Sequence, residues 1–424
     1  MRLGVLRSAS AAGKANSGVY MNIFLNLAVA GAFLVMPGGA AAQEDSNARA
    51  RDLGIPFEGT PGTLNAITDV AGVEVGHVTL ISGEGALKVG EGPVRTGVTA
   101  VHPRGKNSIS PVFGAWFTLN ASGEMTGTTW LEERGIVDGP ILITNTHSVG
   151  VVRDAAVAWM VNRRWPAIWH APVVAETYDG VLNDINGFHV TKAHALEAMA
   201  VAEGGPVDEG VVGGGTGMIC NGFKGGIGTA SRVISQGDQT YTVGVLVQCN
   251  YGSPRDLRLG GITMYDKLDT QPICYSDRSV ARHTTWFPYC DKQLVGENIT
   301  EKTRDGSIII VVATDMPLLP HQLKRVAKRP SLALGRLGAT SHDGSGDIFI
   351  AFSTAGDGDI DENVTSTVQM HGNNALSKIF RATANATEEA IVNAMVAATT
   401  TVGVAGLRVP ELPEEQVKQI MAGK

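Results

Sequence analysis

The chain has 424 residues, of which 43% are apolar and 18% charged, enough hydrophobic content for a buried core and too little charge for a disordered polymer. Its net charge is −7 and it has no long basic run, which excludes the electrostatic footprint of a nucleic-acid binder. The length permits one extended layered unit or two domains.

The N-terminus reads as a secretory leader. Residues 23–36 are a compact apolar run, followed by Pro37-Gly38-Gly39 and by Ala40-Ala41-Ala42 ahead of Gln43. The run is shorter than the ~20 residues of a membrane span, and the alanines suit a small-residue cleavage site. Residues 1–42 are therefore expected to be a removed signal, leading to the periplasm or the outside without a stable membrane anchor. Arg2, Arg7 and Lys14 supply the basic flank, which favours a start at Met1 over Met21.

Helical composition follows over residues 151–162 and 193–203. Cys220 lies in a Gly-rich segment and Cys249 in an apolar one, where buried thiols are expected. Residues 244–248 and 308–313 are short β-branched runs with strand character. Between them Cys274 and Cys290 bracket a polar, aromatic stretch that looks like an inserted loop, where a disulfide is possible in an oxidising compartment. Helical composition returns over 318–328 and 387–400, with start signals at Asp315 before Pro317 and at Thr387-Glu388-Glu389. The glycines are scattered through turns and no internal repeat stands out. Helices flanking strands suit a layered sandwich.

Gln248-Cys249-Asn250-Tyr251-Gly252-Ser253 carries the chemistry in this reading, because an apolar run stops there at a Gly-Ser pair. A serine becomes a strong acyl acceptor when a base takes its proton, and the α-amine of a newly exposed N-terminal serine can be that base. Its reference pKa of about 7.7 to 8.0 leaves it substantially neutral near physiological pH. Gly252 permits the backbone conformations in which the hydroxyl reaches the preceding carbonyl.

Several segments carry a resemblance to a known family. They include Arg51-Asp52-Leu53-Gly54-Ile55, residues 123–133, Thr144-Asn145-Thr146-His147-Ser148-Val149-Gly150, residues 172–180, and Leu182-Asn183-Asp184-Ile185-Asn186-Gly187. They continue through residues 213–218 and 221–232, residues 306–315, and Gly344-Ser345-Gly346-Asp347-Ile348-Phe349. Together these resemble the DmpA-like N-terminal-nucleophile peptidases, the L-aminopeptidase/D-esterase and β-aminopeptidase enzymes, over nearly everything after residue 50.

The resemblance implies an α+β fold, an αββα four-layer sandwich like that of N-terminal-nucleophile hydrolases with its own connectivity. It implies a precursor cut at Gly252-Ser253 into an α chain, residues 43–252, and a β chain, residues 253–424, intertwined in one catalytic unit with Ser253 as nucleophile. Asn221, just before Gly222, matches the family's oxyanion asparagine, and His147 stands where members can carry a tyrosine near the oxyanion. Glu132 and Glu133 resemble the acidic segment near the substrate's ammonium, with Glu133 preferred. Ser307 matches a second serine that assists proton transfer together with a carboxylate. Ile309, two positions on, cannot be that carboxylate, which leaves Asp305 as a neighbour of open role. The expected partners are a peptide or amino-acid amide and further copies of the αβ unit, with no cofactor.

The activity implied is removal of N-terminal β-amino acids, D-residues or small L-residues through an acyl-enzyme. Export and the Cys274 to Cys290 insertion incline the reading toward the β-aminopeptidase branch. Gly-x-Ser-x-Gly, His-Glu-x-x-His, Walker and Gly-x-Gly-x-x-Gly signatures are missing, and His189 and His194 lack a zinc pattern. The alternatives are an acyltransferase of the ornithine-acetyltransferase-like fold, whose expected nucleophile is threonine, and a secreted binding protein without catalysis.

Overall fold

The computed structural model describes residues 48–166, 169–269, 272–279, 287–291, 306–356 and 365–423. The expected leader and Asp305 lie outside them. In chain order the elements begin β1 (Glu74–Ser82), β2 (Val94–His102), β3 (Val112–Ala121), α1 (Thr128–Arg134), β4 (Ile136–Val137), β5 (Ile141–Asn145), α2 (Val149–Asn162), β6 (Val173–Thr177) and α3 (Lys192–Val201). Then come a small hairpin of β7 (Ile219–Cys220) and β8 (Phe223–Lys224), the long strands β9 (Gly226–Gln236) and β10 (Gln239–Asn250), and the short β11 (Arg258–Leu259), β12 (Ile262–Thr263) and β13 (Cys274–Tyr275). The C-terminal part comprises β14 (Ser307–Thr314), α4 (Pro320–Ala327), α5 (Pro330–Arg336), β15 (Gly346–Ser353), α6 (Ser377–Val396), β16 (Thr401–Val402), β17 (Leu407–Val409) and α7 (Glu414–Ala422).

Two sheets face each other. One has four strands in the order β1-β2-β5-β6, the other six in the order β4-β3-β15-β14-β10-β9. The strand sequences explain the stacking, since β14 is apolar from Ile308 to Ala313 and buried at every position, as a strand covered on both faces must be. Alternate residues serve different layers. Ile309, Val311 and Ala313 meet Ile143 and Ala175 of the four-stranded sheet, while Ile308, Ile310 and Val312 pack with Leu323, Val326 and Ile391 of the helices behind. Helices α2 and α3 cover the outer face of the smaller sheet through Val152, Ala155, Ala198 and Met199. The result is the αββα sandwich that the family resemblance implies.

Helix α6 begins ten residues before the Thr387-Glu388-Glu389 start signal. Thr383 and Thr387 donate their hydroxyls to the carbonyls four residues back, so these polar residues are satisfied inside a helix and mark no end. Glu389 is buried and accepts from Arg51 (2.7 Å), Arg232 (2.6 Å) and Asn65 (2.6 Å), tying α6 to β9 and to the chain before β1. The thiol reading of Cys220 and Cys249 is also corrected: the two are disulfide-bonded across β7 and the end of β10 with Cα atoms 5.6 Å apart, within bridging range. Cys274 and Cys290 are bonded as well, with Cα atoms 5.0 Å apart. Among the described residues no helix is long and apolar enough to cross a membrane.

Candidate active site

Ser253 lies three residues past the end of β10 and is buried. Its Oγ accepts from the Arg255 N–H at 3.3 Å and its carbonyl accepts from Asp256 N–H at 3.1 Å, so the side chain closes a serine turn. Gly252, with φ near +87°, is needed for fit as well as for dihedral freedom: a Cβ there would stand 2.1 Å from Asn221 Oδ1. Asn221 donates its backbone N–H to the Tyr251 carbonyl at 2.7 Å. Its side-chain amide points at sulfur, 3.6 Å from Cys220 and 3.8 Å from Met395. Gly252, Ser253 and Asn221 are thus together, as a packed corner. Among the described residues no base or carboxylate bonds to the Ser253 hydroxyl.

Ser307 stands elsewhere, as the first residue of the central strand β14, between β10 and β15. It pairs in register with Asn250 on one side and Gly346 on the other. The Gly346 N–H reaches both the Gly306 carbonyl, at 3.1 Å, and Ser307 Oγ, at 3.2 Å. One donor therefore touches the hydroxyl and the carbonyl of the bond in front of it. Room for this is made by absent side chains. A Cβ on Gly346 would sit 2.9 Å from Ser307 Oγ and 2.6 Å from the Ser122 carbonyl, and one on Gly306 would sit 2.2 Å from the Asn250 carbonyl.

On either side of Gly346, the Ser345 hydroxyl donates to Asp347 Oδ1 at 2.7 Å, and both residues are buried. Burial pushes the Asp347 carboxyl above its ordinary value, against the hydroxyls of Ser345 and Ser341. Across the pair with Ser307, Asn250 accepts from Ile219 N–H at 2.8 Å through Oδ1 and donates through Nδ2 to the Tyr178 carbonyl at 3.0 Å. These partners fix which end of the amide is which, and Nδ2 keeps a second hydrogen.

A carboxylate completes the arrangement. Glu176, the penultimate residue of strand β6, is buried, with Oε1 accepting from Glu124 N–H at 2.9 Å and Oε2 from the Thr146 hydroxyl. Burial pushes its carboxyl up in pKa, opposed by those two hydrogen bonds. Gly123 marks its distance from Gly346: Glu176 Oε1 and Gly346 Cα stand 3.0 and 3.4 Å from the point a Cβ on Gly123 would occupy.

The remaining expected residues divide. His147 is exposed, stacks at 6.0 Å on Phe188 and lies within electrostatic reach of Glu176, so it belongs to the rim of this group. Glu133 is exposed on α1, next to Glu132, which pairs with Lys324. It is not part of the arrangement, because α1 presents these glutamates to solvent beside α4. Ile309 is buried between the sheets. The sequence reading gave no catalytic part to Asn250, Ser345, Asp347 or Glu176, although Ser345-Gly346-Asp347 places a serine and a carboxylate two residues apart, as Ser307 and Ile309 do not.

Residues 65–409 match the family described as Peptidase family S58. Over 390 residues, covering 92% of this chain and 94% of the relative, the sequence is 55% identical to the beta-peptidyl aminopeptidase BapA of Sphingosinicella microcystinivorans. A solved beta-aminopeptidase from Burkholderia sp. superposes with a TM-score of 0.75 at 45% identity, covering 89% of this chain and 99% of that one. The L-aminopeptidase D-Ala-esterase/amidase of Ochrobactrum anthropi, described as a prototype serine aminopeptidase and a variant of the Ntn hydrolase fold, gives a TM-score of 0.76 at 42% identity, covering 88% and 98%.

Proposed function

We infer, from the premise that this chain belongs to peptidase family S58 and is a serine aminopeptidase, that Ser307 is its nucleophile and Gly306-Ser307 the bond it cuts in itself. The observation that carries this is the single Gly346 N–H held against both Ser307 Oγ and the Gly306 carbonyl. In the cut, Ser307 Oγ adds to the Gly306 carbonyl carbon, the C–N bond breaks as the nitrogen takes a proton, and water hydrolyses the resulting ester. The products end at Gly306 and begin at Ser307. This reading replaces Ser253, which the serine turn accounts for, and moves Ser307 from assistant to nucleophile.

In turnover the freed α-amine of Ser307 takes the hydroxyl proton, Oγ attacks the substrate carbonyl, and the spare N–H of Asn250 stabilises the oxyanion. Asn250 takes this part in place of Asn221, whose amide faces two sulfurs. Ser345 and Asp347 assist the transfer of the hydroxyl proton to the leaving nitrogen as the substrate C–N bond breaks, and water then hydrolyses the ester on Oγ, releasing the acid and restoring the Ser307 hydroxyl. The Glu176 carboxylate pairs with the substrate's ammonium, the part first given to Glu133, and this makes the enzyme an exopeptidase. N-terminal β-amino acids are the favoured acyl part, supported by the 55% identity to a protein named for that activity. Export with removal of the leader near Ala42-Gln43, and assembly from several processed copies, complete the reading.

Intact mass and N-terminal sequencing of wild type, Ser307→Ala and Ser253→Ala, with turnover of a β-alanyl amide, test it. Fragments beginning at Ser307, an uncut and inactive Ser307→Ala, and a processed and active Ser253→Ala are expected. A fragment beginning at Ser253 would overturn the assignment.

A further inference from the structure

Asn250 sits at the end of a strand, where a side chain is least constrained, yet its amide must present one N–H at a fixed point if it is to bind an oxyanion. Its orientation comes from two sides: the Tyr178 carbonyl holds Nδ2, and the neighbouring segment supplies Ile219 N–H, which holds Oδ1, and Asn221 N–H, which holds the Tyr251 carbonyl at 2.7 Å. The latter two contacts bracket the disulfide. Cys220 follows Ile219 and precedes Asn221, and Cys249 precedes Asn250, so the covalent link lies in the same short stretch as both hydrogen bonds. Gly225 seals the crossing, since a Cβ on it would stand 2.4 Å from the Cys249 carbonyl and 2.7 Å from Cys220 Cβ. Both cysteines are fully buried.

We propose that the Cys220–Cys249 disulfide is a positioning element for the oxyanion donor, fixing residues 219–221 against 249–251 so that Asn250 keeps its spare N–H on the Ser307 face. The proposal rests on the reading of Asn250 given above. With the bond open, the 29-residue separation between the cysteines is still closed by the β9–β10 ladder up to Gly226 and Cys249, but residues 219–221 lie beyond that ladder and are left on the Ile219 and Asn221 hydrogen bonds, so the Ile219 N–H can shift relative to Asn250. Displacement of a catalytic donor by about 1 Å costs up to about 100-fold in rate. A partial shift here corresponds to about a tenfold fall in kcat, while KM, set by Glu176 and the rim, stays within about twofold.

The test uses the full chain made in a reducing cytosol, with thiols and the processed fraction counted by mass, and the Cys220→Ser/Cys249→Ser variant beside it. Rates are taken per processed molecule. The reduced protein should show the tenfold loss in kcat and regain it on oxidation with glutathione disulfide. The Cys274→Ser/Cys290→Ser variant should respond to reduction and reoxidation in the same way. Adding Cys220→Ser/Cys249→Ser to Asn250→Ala should leave kcat at the value of Asn250→Ala alone. A lower melting temperature with kcat unchanged, or a rise in KM alone, would assign the bond a purely structural part and overturn the proposal. If Asn250→Ala by itself leaves kcat untouched, the reading of Asn250 has failed, and the proposal with it. A loss for Asn250→Ala but none on opening the bond rejects the proposal alone.

Discussion

Replacing Glu176 by glutamine removes one charge from the proposed ammonium site and little else. The side chain is buried and accepts two hydrogen bonds, from Glu124 N–H and the Thr146 hydroxyl. Glutamine keeps the shape and can preserve both contacts, because the Thr146 hydroxyl can turn to accept. The charge-assisted bond to a substrate ammonium is lost, and such bonds contribute about 1.5–3 kcal/mol. That is a fall of about 10- to 150-fold in kcat/KM for a β-alanyl amide. The pH profile tests the cause: burial raises the Glu176 pKa, so wild-type activity should fall on the acid side at a pH above the ordinary carboxylate range, as the group gains its proton. In Glu176→Gln the limb should become shallower, leaving the protonation of the Ser307 α-amine that the mechanism also requires. Stability should move the other way. A carboxyl whose folded pKa is raised favours folding below its unfolded pKa, and that advantage is lost as pH rises through the folded value. The buried charge is then a cost at pH 7, and Glu176→Gln should melt higher than wild type. Steady-state kinetics from pH 4 to 9 and thermal melts at pH 7 read both effects. Wild-type kcat/KM with an unchanged acid limb in Glu176→Gln would refute the ammonium-site reasoning.

Other perturbations follow from the same contacts. Gly346→Ala should abolish self-cleavage in a folded precursor, because the added Cβ would lie 2.9 Å from Ser307 Oγ and 2.6 Å from the Ser122 carbonyl. A single uncut band with native circular dichroism is the expected result. Asn250→Ala should lower kcat about 100- to 1,000-fold with KM little changed, measured on fully processed enzyme. Glu389→Ala leaves Arg232 buried without its partner and should cost about 3–5 kcal/mol in denaturant unfolding. Burial alone would raise the Glu389 pKa, but Arg51, Arg232 and Asn65 outweigh it and hold the group below its ordinary value. Its contribution is therefore present above the unfolded pKa and lost as pH falls through the folded one, so the stability difference from the variant should shrink in strong acid.

Local pattern was sufficient wherever a residue's role depends on its neighbours in the chain. The β-branched runs at 244–248 and 308–313 lie within β10 and β14, since unbroken apolar sequence leaves a strand no way to be stable except covered on both faces. The glycine-rich motifs were enough for the family, and with it the four-layer fold. Local pattern failed where polar residues are buried in mid-element. The Thr387-Glu388-Glu389 triplet resembles a helix start, and only the packing of α6 on Arg232 and Arg51 shows it to be a helix interior. The choice between Gly252-Ser253 and Gly306-Ser307 lay beyond sequence for a related reason. Both pairs border a β-branched run, and the difference between them is the strand register that sets Ser307 between Asn250 and Gly346 and brings Glu176 across from the other sheet. The chemistry proposed for this site depends on amide and carboxylate positions drawn from four strands far apart in the chain, and sheet pairing, a tertiary property, decides which of them meet.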